Sequence, residues 1–198
     1  MVTHQQDYGK KIASAPVNCG ATVNEAKVSK QNLEKNLAQN HDEKHDHLYR
    51  SGVGIMIINL QKQIFVGKRI DNNSDAWQMP QGGIDTNEEE DAAMFRELKE
   101  ETGIVAEDVR VIAKSEGHYY YNLPYKLQKK FWGGKYLGQR QRWYLVEFVG
   151  QDSVVNIATE DPEFSEWKWV SQEEIVGKIV SFKRELYQGV VSEFARFF

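Results

Sequence analysis

The sequence predicts an α/β protein in which a mixed sheet is covered by helices on two sides. Three observations carry this expectation. Strand-like segments come first, then one charged helix, then more strands, then a closing helix, and that order suits layered packing. The run Val53-Gly-Ile-Met-Ile-Ile58 is apolar without alternation, as a strand buried on both faces requires. Ile175, Ile179, Phe182, Leu186, Val190 and Phe194 recur at helical spacing, which predicts an amphipathic C-terminal helix.

Residues 1–47 have a different composition. Gln, Asn, Lys, Glu and Ala dominate, and the scarce large apolar residues offer too little surface to repay ordering. This segment is expected to be a polar, mostly disordered extension with a transient helix over Val23 to Gln39, and residues 48–198 are expected to form the folded domain. His41, His45 and His47, with Asp42 and Asp46, suggest a metal site, but no second cluster completes a ligand shell, so a solvated tail is expected. After the first strand, Asn59 to Gln63 turns the chain and Ile64 to Lys68 returns it. Trp77 to Gly83 reads as a loop punctuated by Pro80 and two glycines. A helix follows from about Glu88 to Thr102, with Ala92, Ala93, Phe95 and Leu98 as its apolar contacts. Gly103 ends it as a left-handed cap, with Ile104 tucked back. Val109 to Lys114, Gly117 to Tyr121 and Arg142 to Val149 alternate like strands, and Trp167 to Val170 is another.

The length suits one domain. A single cysteine, Cys19, rules out an internal disulfide framework and fits a reducing cytoplasm. No apolar run approaches a membrane span, and no obligate protein partner can be inferred. A net charge of −4 is awkward for binding polyphosphate through the overall field, so metal ions and a local basic patch must supply the attraction. Between Glu116 and Glu147 no acidic residue occurs, while Lys126, Lys129, Lys130, Lys135, Arg140 and Arg142 interleave with Tyr125, Phe131, Trp132, Tyr136 and Trp143. That mixture suits phosphate pairing with base stacking. A twisted hairpin with solvated cations is the alternative.

The densest information lies in Gly82 to Ile104, GGIDTNEEEDAAMFRELKEETGI. Its fixed positions, Gly82, Glu88, Arg96, Glu97, Glu100, Glu101 and Gly103, match a spaced pattern that arises by chance roughly once in 10⁸ registers. Glu97, Glu100 and Glu101 share one helical face. Carboxylates so crowded repel one another unless a cation intervenes, and a hard, oxygen-preferring divalent ion is the natural choice.

This segment resembles the signature of the Nudix hydrolases. The resemblance implies an α/β/α sandwich and hydrolysis of a nucleoside diphosphate linked to another group, with Mg2+ or a substitute such as Mn2+. It assigns Glu97 and Glu101 to metal coordination and Glu100 to a ligand or a metal-bound water, with a backbone carbonyl near Gly82 as a further ligand. Arg96 would pair with Glu88 and lock the loop onto the helix. The general base is expected to be Glu97 or Glu100. Downstream, Asp161-Pro-Glu163-Phe before Trp167-Lys-Trp169-Val resembles a family pattern that makes Glu163 another metal ligand, with Glu160 as the fallback.

The resemblance extends over residues 48–198. Tyr49-Arg50-Ser-Gly-Val-Gly54, Trp77-Gln-Met-Pro-Gln-Gly-Gly83, Gly138-Gln-Arg-Gln-Arg-Trp143 and Val180-Ser-Phe-Lys183 are similar to one subfamily. It holds the bacterial RNA 5′-pyrophosphohydrolases and the asymmetric dinucleoside tetraphosphate hydrolases. By that likeness Arg50 and Arg69 would contact phosphates, Phe182 would stack on a base, and Lys183 would add positive charge. Phe182 also falls on the apolar stripe of its helix, so a core role is open. Tyr121 and Tyr125 are further stacking candidates. The substrate implied is an RNA 5′ end or a dinucleoside polyphosphate. The stretch Asp71 to Asp75 is longer and more acidic than in the RNA enzymes, and the segment Gln128 to Tyr136 is closer to the dinucleoside branch. A nucleotide-pool cleaning enzyme and a non-catalytic nucleotide-binding module remain the other readings.

Overall fold

The computed structural model describes residues 43–71 and 76–198. The expected extension falls almost wholly outside the described residues, including His41 and Asp42.

The organising element is β1 (Tyr49–Ile58), whose C-terminal seven residues are all buried. Such a strand must lie inside the sheet, and β1 does. It runs parallel to β6 (Gly138–Phe148), from Tyr49 opposite Gly138 to Ile58 opposite Glu147. On its other side its C-terminal end pairs antiparallel with β2 (Ile64–Arg69), and its N-terminal half pairs antiparallel with the short β4 (Gln81–Gly83). Beyond β6 lies β5 (Val109–Asn122); beyond β2 lie β3 (Trp77–Gln78) and β7 (Phe164–Val170). The sheet is therefore mixed, as expected.

Alternation along β1 sends side chains to two cores. Val53, Ile55 and Ile57 join Ala93, Met94 and Leu98 of helix α1 (Glu90–Thr102), with Tyr144, Val146 and Phe148 of β6. Met56 and Ile58 face the other way, with Trp143 and Leu145, toward the C-terminal helices. These helices are α3 (Gln172–Lys178) and α4 (Arg184–Phe194); a single-turn helix, α2 (Tyr125–Gln128), precedes them in the chain. Helices on both faces make the α/β/α sandwich.

Several local expectations need correction. Helix α1 starts at Glu90, not Glu88, because Asn87 takes a left-handed turn (φ 65°) and the Glu88 carboxylate is engaged elsewhere. Ala92 is exposed; Met94 fills the buried position beside Ala93. The end of α1 is as expected: Gly103 has φ 72°, its N–H donates to Lys99 O, and Ile104 is buried. The two segments expected over Val109 to Tyr121 are one strand, β5, whose pairing slips near Ser115. There the Ser115 hydroxyl donates to Gly117 O and accepts from Trp143 N–H, so a bulge replaces the break. The single C-terminal helix is two. Ile179 and Val180 are extended, and a 3₁₀ turn over Ser181–Lys183 leads into α4. Two adjacent β-branched residues after Gly177 are poor helix formers, and apolar spacing alone does not reveal such a break. Residues 43–48 form a 3₁₀ turn, and Asp46 is no solvated tail residue: it accepts from Tyr120 (2.7 Å) and pairs with Arg140 (2.6 Å).

Candidate active site

The Trp-Gln-Met-Pro-Gln-Gly-Gly segment does not simply loop. It forms β3 and β4, and Pro80 O accepts from Ile55 N–H, which presses the segment onto β1. This brings Gln81 to Gly83 against the charged face of α1. The Glu97 carboxylate packs directly on the Cα of Gly82, where any Cβ would collide with it. Gly82 is therefore required by close approach.

Arg96 ties the helix to the loop. Its Nε and Nη2 donate to the two Glu88 oxygens (2.8 Å each), and Nη2 also donates to Gly83 O (2.8 Å). Asp85 N–H donates to the same Glu88 carboxylate. The fork pulls the Glu88 pKa down to about 2. The remaining Nη1 donates to Glu97 (2.8 Å) and Glu100 (2.9 Å), a wider role than the loop lock expected from the sequence.

Glu101 is almost fully buried. One oxygen accepts from Gln81 N–H (3.1 Å); the other, Oε1, is buried with no partner among the described residues. Burial, then repulsion from Glu163 and Glu97, lifts its pKa well above the usual carboxylate range. Burial also raises Glu97, partly offset by Arg96, while Glu100 and Glu163 push it further up. A buried carboxylate oxygen without a donor is costly. A divalent cation answers it, and the donors around it are all oxygens, as Mg2+ requires. The side chains fit such an ion, but they do not form a ready-made cage. Among the described residues no three acidic, His or Cys side chains are gathered tightly enough to hold a metal. Glu97 and Glu100 each place one oxygen on Arg96 Nη1, and no hydrogen bond among the described residues engages the other oxygen of either.

Glu163 arrives from the loop before β7. Its carboxylate accepts from Arg69 Nη1 (2.7 Å), and its repulsion is felt at both Glu101 and Glu97. Glu160 is exposed and does not line the cleft. Arg69 is further clamped by Asp71, the first residue of the acidic stretch (2.6 and 2.8 Å). Asn72 to Asp75 lie outside the described residues.

These groups open into a cleft of about 570 Å³. Glu97, Glu100 and Gly82 form one wall; Phe182 and Tyr121 form another; Arg50 and Arg69 also line it. Phe182 belongs to the 3₁₀ turn rather than to a helical stripe, is half-buried, and packs on Tyr121 with ring centroids 5.9 Å apart. Tyr121 is buried beneath it and donates to Gln139 (2.8 Å), so the ring accessible to a base is Phe182. Lys183 is buried too. Its ammonium donates to Gln81 (2.9 Å) and lies 4.9 Å from the Tyr121 ring centre, and burial drops its pKa to about 7. Tyr125 is exposed and outside the cleft.

The basic segment divides. Arg140 pairs with Asp46, and Arg142 pairs with Glu90 and donates to Ser115 O and Glu116 O. Their partners come from distant parts of the chain, which a sequence run without acids cannot disclose. Of the lysines in this segment, Lys130 lines the cleft. Gln78, Gln81, Gln139 and Trp132 also line it. All four stand in segments singled out from the sequence, but neutral amides and a tryptophan carry no signal there that separates lining from packing.

A model of the NUDIX domain matches residues 48–190. The chain belongs to the Nudix family. It is 52% identical over 151 residues to an RNA pyrophosphohydrolase of Sphingopyxis alaskensis, covering 76% of this chain and 96% of that one. It is 48% identical over 157 residues to an RNA pyrophosphohydrolase of Rickettsia canadensis, covering 79% and 96%. Among solved structures, the fold is similar to the Escherichia coli dihydroneopterin triphosphate pyrophosphohydrolase (TM-score 0.58, 20% identity, 73% of this chain and 98% of that one). It is also similar to the Caenorhabditis elegans Ap4A hydrolase in a binary complex (TM-score 0.56, 21% identity, 75% and 99%).

Proposed function

We propose that the chain is a magnesium-dependent pyrophosphohydrolase that converts the 5′-triphosphate end of RNA to a 5′-monophosphate. The observation that carries this is the identity of about half of all aligned positions with RNA pyrophosphohydrolases, over nearly their whole length. In this reading residues 48–198 form the catalytic domain, residues 1–47 an extension to it, and the reaction serves mRNA decay in the cytoplasm.

Glu97, Glu101, Glu163 and the Gly82 carbonyl would hold the metal, with Glu100 as a ligand or a partner of metal-bound water. When bound, the ion neutralises phosphate charge and acidifies water. The protein's own groups do the rest. Arg96 and Glu88 fix the loop to α1, so the carboxylates start from defined positions. Glu97 or Glu100 takes the proton of the attacking water; Arg96 holds only one oxygen of each. Arg50 and Arg69 meet the phosphates, Phe182 stacks on a base over Tyr121, and Lys183, near neutrality when the cleft is empty, becomes fully protonated beside a polyphosphate.

A second reading, asymmetric hydrolysis of a dinucleoside polyphosphate, is favoured by the Gln128 to Tyr136 segment on the cleft wall. Turnover of triphosphorylated RNA and of diadenosine tetraphosphate, measured side by side with magnesium, separates the two. The first reading expects RNA to be the better substrate by kcat/KM; a reversed ranking would replace it with the second.

A further inference from the structure

Trp132 holds a left-handed backbone (φ 50°) and runs straight into Gly133 and Gly134, at 64° and 76°. For glycine this is ordinary. For a bulky aromatic residue it is an outlier, kept only where the surroundings over-determine it. Those surroundings are specific. Tyr136 (6.0 Å, 76°) and Phe131 (5.9 Å, 43°) pack against the ring, and one face receives the Arg50 guanidinium, 5.5 Å from the ring centroid. The same guanidinium lies against the Gly83 backbone, where a Cβ would collide with it. Among the described residues no ion pair engages Arg50, whereas Arg69 and Arg96 are both tied to carboxylates. Arg50 is thus a cleft-lining cation held by an aromatic face and a glycine backbone, and its charge is left for something else.

We propose that Trp132 is a positioning residue: with Gly83 it clasps the Arg50 guanidinium so that it faces the cleft and meets the substrate's phosphates. The inference deepens the proposed function and rests on it for the role of Arg50. Trp132 acts here through Arg50, so its effect is expected to follow the phosphates rather than the nucleotide chain.

The test is a double-mutant cycle on kcat/KM, with triphosphorylated RNA and a nucleoside 5′-triphosphate as substrates and melting temperature recorded throughout. Trp132→Ala and Trp132→Leu are each expected to lose roughly ten-fold, chiefly in KM, by the same factor on both substrates. Trp132→Phe, which keeps a ring face, should recover to within about three-fold of the parent. Arg50→Ala combined with Trp132→Ala should fall no further than Arg50→Ala alone. Should Trp132→Ala melt early, the Leu and Phe variants decide, since both fill the space. Multiplying losses in the double variant, equal activity of Leu and Phe, or a loss confined to RNA would each overturn the proposal. If the parent cleaves diadenosine tetraphosphate and leaves RNA untouched, the RNA reading fails, and the same cycle on that substrate still judges Trp132.

Discussion

At the scale of single residues, charge and close approach dominate. Glu101 is buried with one oxygen lacking a donor, and burial with its acidic neighbours disfavours its charged form; in the proposed reading a bound cation would relieve this. Glu101→Gln should therefore lower turnover by orders of magnitude while leaving the melting temperature unchanged or higher, because the amide oxygen can still accept from Gln81 N–H. Glu97→Gln should be equally inactive; retained turnover in either purified variant removes that residue from the metal site. Lys183 supplies a pH signature. Its pKa falls from 10.5 to about 7 on folding, so between those values the unfolded chain binds more protons than the folded one. Stability contributed through this group must rise as pH increases from about 7 toward 10.5. Chemical denaturation across that range should show Lys183→Met flattening the rise; an identical profile in parent and variant would mean the ammonium is not desolvated. The glutamates of α1 are legible in the sequence because seven spaced matches leave little to chance. That Arg96 also restrains Glu97 and Glu100 is not, since one guanidinium can reach several carboxylates on the same helical face and spacing does not say which.

At the scale of elements, local rules succeed where the chain dictates its own backbone and fail where a partner does. Gly103 reads as a left-handed cap, and it is one. Gly103→Ala should cost at least about 1–2 kcal/mol, since the left-handed backbone and the tight approach of Asn156 both penalise a Cβ. A melting shift within error would show that the cap relaxes freely. The break between α3 and α4 is invisible in the sequence, because Ile175, Ile179, Leu186 and Val190 are buried on both sides of it and keep the apolar spacing intact. The break nevertheless makes the site: it turns Phe182 and Lys183 into the cleft. The basic segment offers less free charge than its composition suggests. Arg140 and Arg142 are consumed by ion pairs, whereas Lys126, Lys129, Lys130 and Lys135 have no ion pair among the described residues. Replacing Lys129 and Lys130 together by Ala should weaken RNA binding and reduce the log–log salt slope by about 0.7 for each phosphate no longer neutralised. An unchanged slope would take this segment out of the interface.

At the scale of the whole molecule, β1 does the arranging. Its unbroken apolar run forces it inside the sheet, its parallel pairing with β6 sets the layer order, and its glycine-containing first half lets β4 lie beside it under α1. The layered fold is legible from that run and the order of elements; the splitting of one side of β1 between β2 and β4 is not, because pairing partners are chosen by packing. The consequence is a cleft in which carboxylates from α1 and the β7 approach face cations from β1 and β2. Those carboxylates are held to act through a divalent ion on a phosphate bridge. The most direct measurement of this follows 5′-triphosphorylated RNA through to product, with and without magnesium, in the parent and in Glu97→Gln. The expected result is 5′-monophosphate RNA from the parent only, and none after chelation. Monophosphate ends formed at the parent rate by the variant, or by the parent in excess chelator, would contradict it.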